Sequence, residues 1–297
     1  MKKTLLFLLL SFCIHAVQAE DTVSVMTFNI RYENSSDSLN AWSHRKENVG
    51  AMLRYYEPDI LGMQEVLHNQ LENIRAMLPQ YDFVGVGRAD GKEDGEYSPI
   101  FYKKEKYLLF RSGTFGLSEQ PDQIGLKGWD AACERIVTWA ILRDRESEQE
   151  IAVFNTHFDH IGQVARRESS KLLLNLIEEL AVGDRPVIVT GDFNGVQNSE
   201  SIRLLTEGGL IDSRSVSPIV YGPSYSFHDF GRLEEAQRDI IDYIFVKGNV
   251  KVDKYRIIDD SSCGYLSDHN PIILMVRVKS SRIPLMRFVM FPSHQHS

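Results

Sequence analysis

The sequence predicts a layered α/β fold built on large sheets. Apolar stretches alternate between strand-like and helix-like periods from residue 22 to 279. Many strands with a few interspersed helices need sheets with helices packed on their faces. No internal repeat or low-complexity linker divides the run, so it reads as one domain over residues 20–279.

The elements follow in order. Val23, Val25 and Thr27 alternate with Met26 and Phe28, the period of a strand. Ser43 caps a helix carrying Val49, Met52, Leu53 and Tyr56, and Pro58 ends it. Residues 59–64 read as a buried strand running into Glu65, and Leu67, Leu71, Ile74 and Leu78 mark a second amphipathic helix. Strands are predicted over 81–86, 99–102, 107–115, 135–142 and 151–156, several separated by Gly and Asp clusters. A long helix carries Ala165, Leu172, Leu173, Leu176 and Leu180 on one face. Strands over 186–190, 240–246, 252–258 and 272–278 complete the set.

The termini set the compartment. Lys2 and Lys3 precede an apolar run from Leu5 to Leu10, and Val17, Gln18 and Ala19 supply a cleavage site. Residues 1–19 therefore read as a secretory signal peptide, and the product as periplasmic or secreted. The run is too short to span a bilayer, and no later stretch predicts membrane insertion. Phe12 stands where a lipidated Cys13 would need a small residue. Loss of Lys2 and Lys3 takes the formal net charge from −8 to −10. That balance argues against a long phosphate-backbone footprint, but leaves room for a small phosphorylated substrate. Cys133 and Cys263 read equally as a disulfide and as two buried thiols, and no Cys/His cluster has zinc spacing. Residues 280–297 read as a peripheral tail.

Polar residues fall at the ends of predicted strands, where loops present function on a rigid frame. Asn29 ends the first strand, Glu65 follows the second, and His157 ends another. Asp192 and Asn194 follow VIVTG, Asp242 lies inside the apolar IIDYIFV, and Asp268 and His269 precede the last strand. Singly, each is a turn residue or a satisfied buried polar group. Together they share one chemistry. Carboxylate and amide oxygens are the ligands of hard divalent cations such as Mg²⁺, with Mn²⁺ as a substitute. Histidines beside carboxylates serve proton transfer and charge stabilisation.

The strings MTFNIR, MQEV, NTHFDH, GDFNG, IDYIFV and SDHNP stand in the order found in the endonuclease/exonuclease/phosphatase superfamily, which this chain resembles over roughly residues 22–279. That superfamily includes deoxyribonuclease I, neutral sphingomyelinases, inositol-polyphosphate 5-phosphatases and nocturnin-like deadenylases. The resemblance implies a four-layer sandwich, two central mixed β-sheets flanked by helices, with the active site at one end. It implies that Glu65 is the main Mg²⁺ ligand, with Asn29 beside metal and phosphate and Asp268 a further metal-site carboxylate. Asp192 and Asn194 would orient the attacking water. His269 would contact the scissile phosphate, with Asp242 orienting it, and His157 would be the second histidine. Glu96 is a candidate partner of His157 or an acidic loop residue. Arg135 is a candidate phosphate contact or a surface Arg. Trp42 and Trp129, in predicted loops, read as a stacking wall for a sugar or base, or as packing against the sheet edge.

These features predict metal-assisted hydrolysis of phosphate mono- or diesters, on small or glycan-linked phosphates. The alternative is a secreted nuclease acting on RNA or DNA, which the negative charge disfavours. A catalytically dead binding module on the same fold has no support, since no expected site position is lost.

Overall fold

A hydrophobic strand buried on both faces needs cover on both, and the chain meets that need with two facing sheets and helices outside them. A computed structural model describes residues 20–259 and 264–279. Residues 1–19, residues 280–297 and Cys263 lie outside the described residues, and so does any Cys133–Cys263 pairing.

The strands are β1 (Glu20–Asn29), β2 (Ile60–Gln64), β3 (Tyr81–Val84), β4 (Ile100–Lys103), β5 (Tyr107–Gly116), β6 (Ile136–Asp144), β7 (Glu150–His157), β8 (Val187–Asp192), β9 (Ile211–Asp212), β10 (Val220–Tyr221), β11 (Asp242–Lys247), β12 (Val250–Ile257) and β13 (Ile272–Lys279). The helices are α1 (Trp42–Tyr56), α2 (His68–Met77), α3 (Gln163–Leu180), α4 (Glu200–Glu207) and the single turn α5 (Ser213–Val216). Seven strands form one sheet in the order β10-β12-β13-β1-β2-β4-β3, and six form the other in the order β5-β6-β7-β8-β11-β9. Both are mixed: β1 is parallel to β2 but antiparallel to β13, and β7 is parallel to β8 but antiparallel to β6.

The apolar residues sort into three cores, which define four layers. Val25, Ile60, Val153, Ile188 and Leu274 meet between the sheets. Phe154, Val189 and Phe245 face Leu173 and Leu176 of α3 and Leu205 of α4 on one outer side. Met26, Phe28 and Met63 face Val49 and Leu53 of α1 and Ile74 of α2 on the other. The central strands β2 and β8 are buried at every residue, whereas β12, nearer an edge, alternates in and out. This is the two-sheet sandwich with flanking helices expected from the sequence. Of the two readings of Trp42 the packing one holds and the loop placement is corrected: it opens α1, is buried in the core that includes Met26 and Phe28, and donates from Nε1 to Asn73, so it is no stacking wall.

The two sheets are tied together by a polar network just beneath one end of the sandwich. Asn155 of β7 donates from Nδ2 to the carbonyls of Met63 (2.7 Å) and Pro99 (2.9 Å) in the facing sheet. Its Oδ1 accepts from Gln64 Nε2 (2.6 Å) and Thr190 Oγ1 (2.9 Å), and Gln64 also donates to Thr27 Oγ1 (3.0 Å). Gly62 makes this approach feasible: a methyl there would run into Thr190 Oγ1 and come within 2.7 Å of Asn155 Oδ1. Gly62→Ala should therefore lower the unfolding free energy by about 1–3 kcal/mol, as overpacking does. Urea denaturation of wild type and variant would measure it, and equal midpoints would contradict the close approach.

Candidate active site

Strand register brings the polar strand ends together. His157 sits opposite Asp192 across β7 and β8, and Asp192 sits opposite Asp242 across β8 and β11. Asn29 sits opposite Gln64 across β1 and β2, which places Glu65 one residue beyond. Asp268 and His269 enter the same end because β13 starts antiparallel to β1, opposite Thr27.

Three carboxylates and an amide make one side of the site. Asn29 donates from Nδ2 to both Glu65 Oε1 (3.1 Å) and Asp192 Oδ2 (2.9 Å), so two carboxylates from different sheets converge on one side chain. The backbone N–H of Tyr32 holds Glu65 Oε2 (3.1 Å). Asp268 Oδ1 accepts from Ser267 Oγ (3.1 Å). Burial raises the Asp192 carboxyl to about 7, and the negative charge of Asp242 pushes the same way. Burial also raises Asp268, with Glu65 adding to it against the pull of His269. Glu65, Arg31 and Asn194 all stand at positive φ, 61°, 58° and 47°. Non-glycine residues held there are strained by about 1–3 kcal/mol each, which persists only where the surroundings fix them.

The two histidines are in opposite electrical states. His269 Nδ1 lies 2.8 Å from Asp242 Oδ2, and its Nε2 lies 3.7 Å from Asp192 Oδ2. Burial works to lower its pKa, but Asp242, Asp192 and Asp268 more than offset this and lift it to about 10, so the ring is charged at neutral pH. His157 Nε2 lies 3.1 Å from Asn194 Nδ2 and 3.5 Å from Asp192 Oδ2. Burial, with the charges of Arg135 and Arg88, drives its pKa well below the usual value, so that ring is neutral.

Glu96 and Arg135 stand beside this cluster. Glu96 Oε2 is 3.9 Å from His157 Nδ1, beyond hydrogen-bond reach, and the carboxylate is held by both Nη atoms of Arg88 at 2.6 and 2.7 Å. Arg135 is buried; its Nε meets Asp159 Oδ2 (3.3 Å), its Nη2 meets His160 Nδ1 (3.0 Å), and its Nη1 has no protein partner. Trp129 lies in a loop at a positive φ, its backbone N–H bound to Glu119.

Four residues absent from the sequence reading belong here. Arg31 is gripped by Asp37 through Nε (3.0 Å) and Nη2 (3.2 Å), and its guanidinium reaches within 3.9 Å of Glu65 and 3.8 Å of Asp268. Burial works against its charge, but Asp37, Asp268 and Glu65 raise its pKa further. Arg45 on α1 donates to the carbonyls of Ile30 (2.9 Å) and Leu266 (2.5 Å), stitching the end of β1 to the segment carrying Asp268. Arg88 holds Glu96. Ser226 Oγ accepts from the N–H groups of Ile241 and Asp242, and its carbonyl accepts from Asn270. Arg31 was readable in the string FNIR; the others have only tertiary partners to reveal them.

The donor set fits a hard divalent cation. One oxygen each from Glu65 and Asp192, with a nitrogen of His157, lie within 4.8 Å of one another, and burial disfavours the Asp192 charge, which a cation would offset. Glu65 and Asp192 are the residues placed to hold such an ion, with Asn29 between them.

Residues 26–269 match the Endonuclease/Exonuclease/phosphatase family. The chain belongs to that family. The endonuclease/exonuclease/phosphatase structure from Bacteroides vulgatus is 45% identical, with a TM-score of 0.85 over 87% of this chain and 100% of its own. The mannosyl-6-phosphatase of Bacteroides thetaiotaomicron is 36% identical, with a TM-score of 0.81 over 86% of this chain and 99% of its own. The CCR4-Not complex 3'-5'-exoribonuclease subunit Ccr4 of Emericella nidulans is 22% identical over 90% of this chain, which spans 54% of that protein. Family members hydrolyse phosphoester bonds, and the activities named for two of these relatives are those of a mannosyl-6-phosphatase and a 3'-5'-exoribonuclease.

The His269–Asp242 pair makes stability pH-dependent. A His raised from 6.5 to about 10 on folding contributes stability that is complete below pH 6.5 and lost as pH rises through 10. The stability advantage of wild type over Asp242→Asn should therefore shrink across that interval, measured by denaturant unfolding at each pH. A constant advantage would contradict the charged pair.

Proposed function

We propose that this chain is a secreted, Mg²⁺-dependent phosphoesterase acting on small phosphorylated sugars or glycans. The observation that carries the reading is the convergence of Glu65 and Asp192 on Asn29, with the charged His269 3.7 Å from Asp192. A bound cation would polarise the phosphoryl group. Asp192 and Asn194 hold the attacking water, and the Asp192 carboxylate accepts its proton. His269 donates to a non-bridging phosphate oxygen as charge builds in the transition state. Water oxygen bonds to phosphorus while the phosphorus–oxygen bond to the leaving group breaks; the departing alkoxide takes a proton from solvent to become the alcohol, and Asp192 returns its proton to solvent. Asp242 fixes the His269 ring. His157, neutral, accepts at Nε2 from the Asn194 side-chain amide, which also donates to the Phe158 carbonyl, and so fixes the residue whose backbone N–H donates to Asp192 Oδ1.

The acidic balance of the chain, −8 in formal charge, and its 36% identity to a mannosyl-6-phosphatase favour a small substrate over a polynucleotide. The nuclease reading rests on the likeness to Ccr4 and is tested beside it.

EDTA should abolish hydrolysis of hexose phosphates, and Mg²⁺ or Mn²⁺ should restore it; full activity in excess chelator would refute the metal. Specificity constants should favour hexose phosphates over single-stranded RNA, with a shallow salt dependence. Faster RNA cleavage with a steep loss of affinity as salt rises would establish the nuclease instead. His269→Ala should lower kcat by about 10²–10³-fold, as loss of one transition-state donor does. Asp242→Asn/His269→Ala should be little worse, because residues acting as a unit are not additive. Losses that multiply would break the pairing.

A further inference from the structure

Beside His269, and walled by none of Glu65, Asp192 or Asn194, is a cavity of about 200 Å³. Tyr225, His228 and Arg238 line it on one side, with Ile258, Asp259, residues 265–267 and residues 269–271 completing it, and backbone bonds lock the segments around His228 and His269 together. The N–H groups of His228 and Asp229 donate to the Asp268 carbonyl at 3.0 and 3.2 Å, and the Asn270 N–H donates to the Ser226 carbonyl at 2.6 Å. The cavity is thus fixed relative to the imidazole that serves the phosphate.

Its walls carry polar groups with capacity to spare. Arg238 donates from Nη1 to Tyr225 Oη (3.0 Å) and from Nε to the Leu233 carbonyl (3.0 Å), with its guanidinium 5.0 Å from the centre of the Tyr225 ring. His228 is buried; its Nδ1 accepts from the Gly231 N–H (3.1 Å), and the ring is bonded to the Asn270 side chain. Asn270 Nδ2 is buried without a partner, a costly state that a ligand oxygen would relieve. Tyr265 offers a partly exposed ring 5.2 Å from that of His228. Donors facing aromatic faces in a space smaller than the roughly 300 Å³ of drug-sized pockets suit one small polar ring.

We propose that this cavity, walled by Tyr225, His228, Arg238, Tyr265 and Asn270, is the subsite for the leaving alcohol of the substrate, a single polyhydroxylated ring. The proposal rests on the small-phosphoester reading and names what lies beyond the phosphate. Arg238 and Asn270 read ring hydroxyls, and Tyr225 and Tyr265 cover the ring's C–H faces. A phosphate at Asp192 with its alcohol past His269 occupies both parts of the site.

The test compares kcat/KM for a hexose phosphate and for an aryl phosphate, which offers no hydroxyls to read, in wild type, Arg238→Ala and Tyr225→Phe. The hexose-to-aryl ratio should fall about tenfold in Arg238→Ala, as loss of a charged hydrogen-bond donor does, and less in Tyr225→Phe. Free hexose should inhibit wild type competitively and Arg238→Ala more weakly. Tyr225→Phe removes one hydroxyl and keeps the test alive if Arg238→Ala does not fold. Ratios and inhibition unchanged in every folded variant would overturn the subsite alone. Wild type that cleaves RNA but neither small ester would overturn the subsite together with the reading beneath it.

Discussion

Everything at the active end of this molecule depends on the two sheets being held in register, and Asn155 holds them. A sheet-on-sheet interface made only of aliphatic side chains tolerates sliding. A buried amide that satisfies four partners, two backbone carbonyls and two side chains, does not. Asn155 lies two residues before His157, and its partner Gln64 lies one residue before Glu65. A shift of the sheets would thus separate Glu65 of one from Asp192 and His157 of the other. The network joins the packing of the sandwich directly to the convergence on Asn29.

What the register assembles is an excess of buried negative charge, and the surroundings answer it unevenly. Asp242 is answered by His269 at 2.8 Å, whose ring is thereby held charged at neutral pH. Arg31 approaches Glu65 and Asp268 but spends its hydrogen bonds on Asp37. Asp192 has only the amide of Asn29, the Asn194 N–H and the more distant histidines, and its carboxyl rises to about 7. The imbalance is concentrated where a cation and a phosphate would meet. A site satisfied within itself would bind neither, since each bound charge would displace an existing partner.

The layered fold was legible because its long elements carry clean periodicities. The strands β1, β6, β7 and β13 and the helices α1 and α3 fall within a few residues of their predicted spans. The short elements were not: α4, α5, β9 and β10 run 8, 4, 2 and 2 residues, too few to establish a period. The same division applies to the site. Glu65, His157, Asp192 and His269 stand in motifs at strand ends. Arg45, Arg88 and Ser226 work only through partners distant in sequence, and isolated Arg and Ser residues carry no local signal. Trp42 was misplaced because helix α1 begins one residue before the Ser43 cap that the sequence suggested.

The charge distribution also bears on substrate size. Polyanion binding needs cations free to face solvent along a track. Around this site the guanidinium groups are already engaged: Arg31 with Asp37, Arg88 with Glu96, Arg135 with Asp159, and Arg45 with four backbone carbonyls. Arg45 and Arg135 are buried beneath the surface rather than displayed on it. Such arginines shape a site and set its internal field, and a single phosphate arriving there meets them together with the charged His269. A second and third phosphate along a chain would find these guanidinium groups already paired, on a chain of formal net charge −8. On the small-phosphoester reading proposed above, the engaged arginines and the charged His269 favour one phosphate, and the choice among alcohols falls to the walls beyond His269.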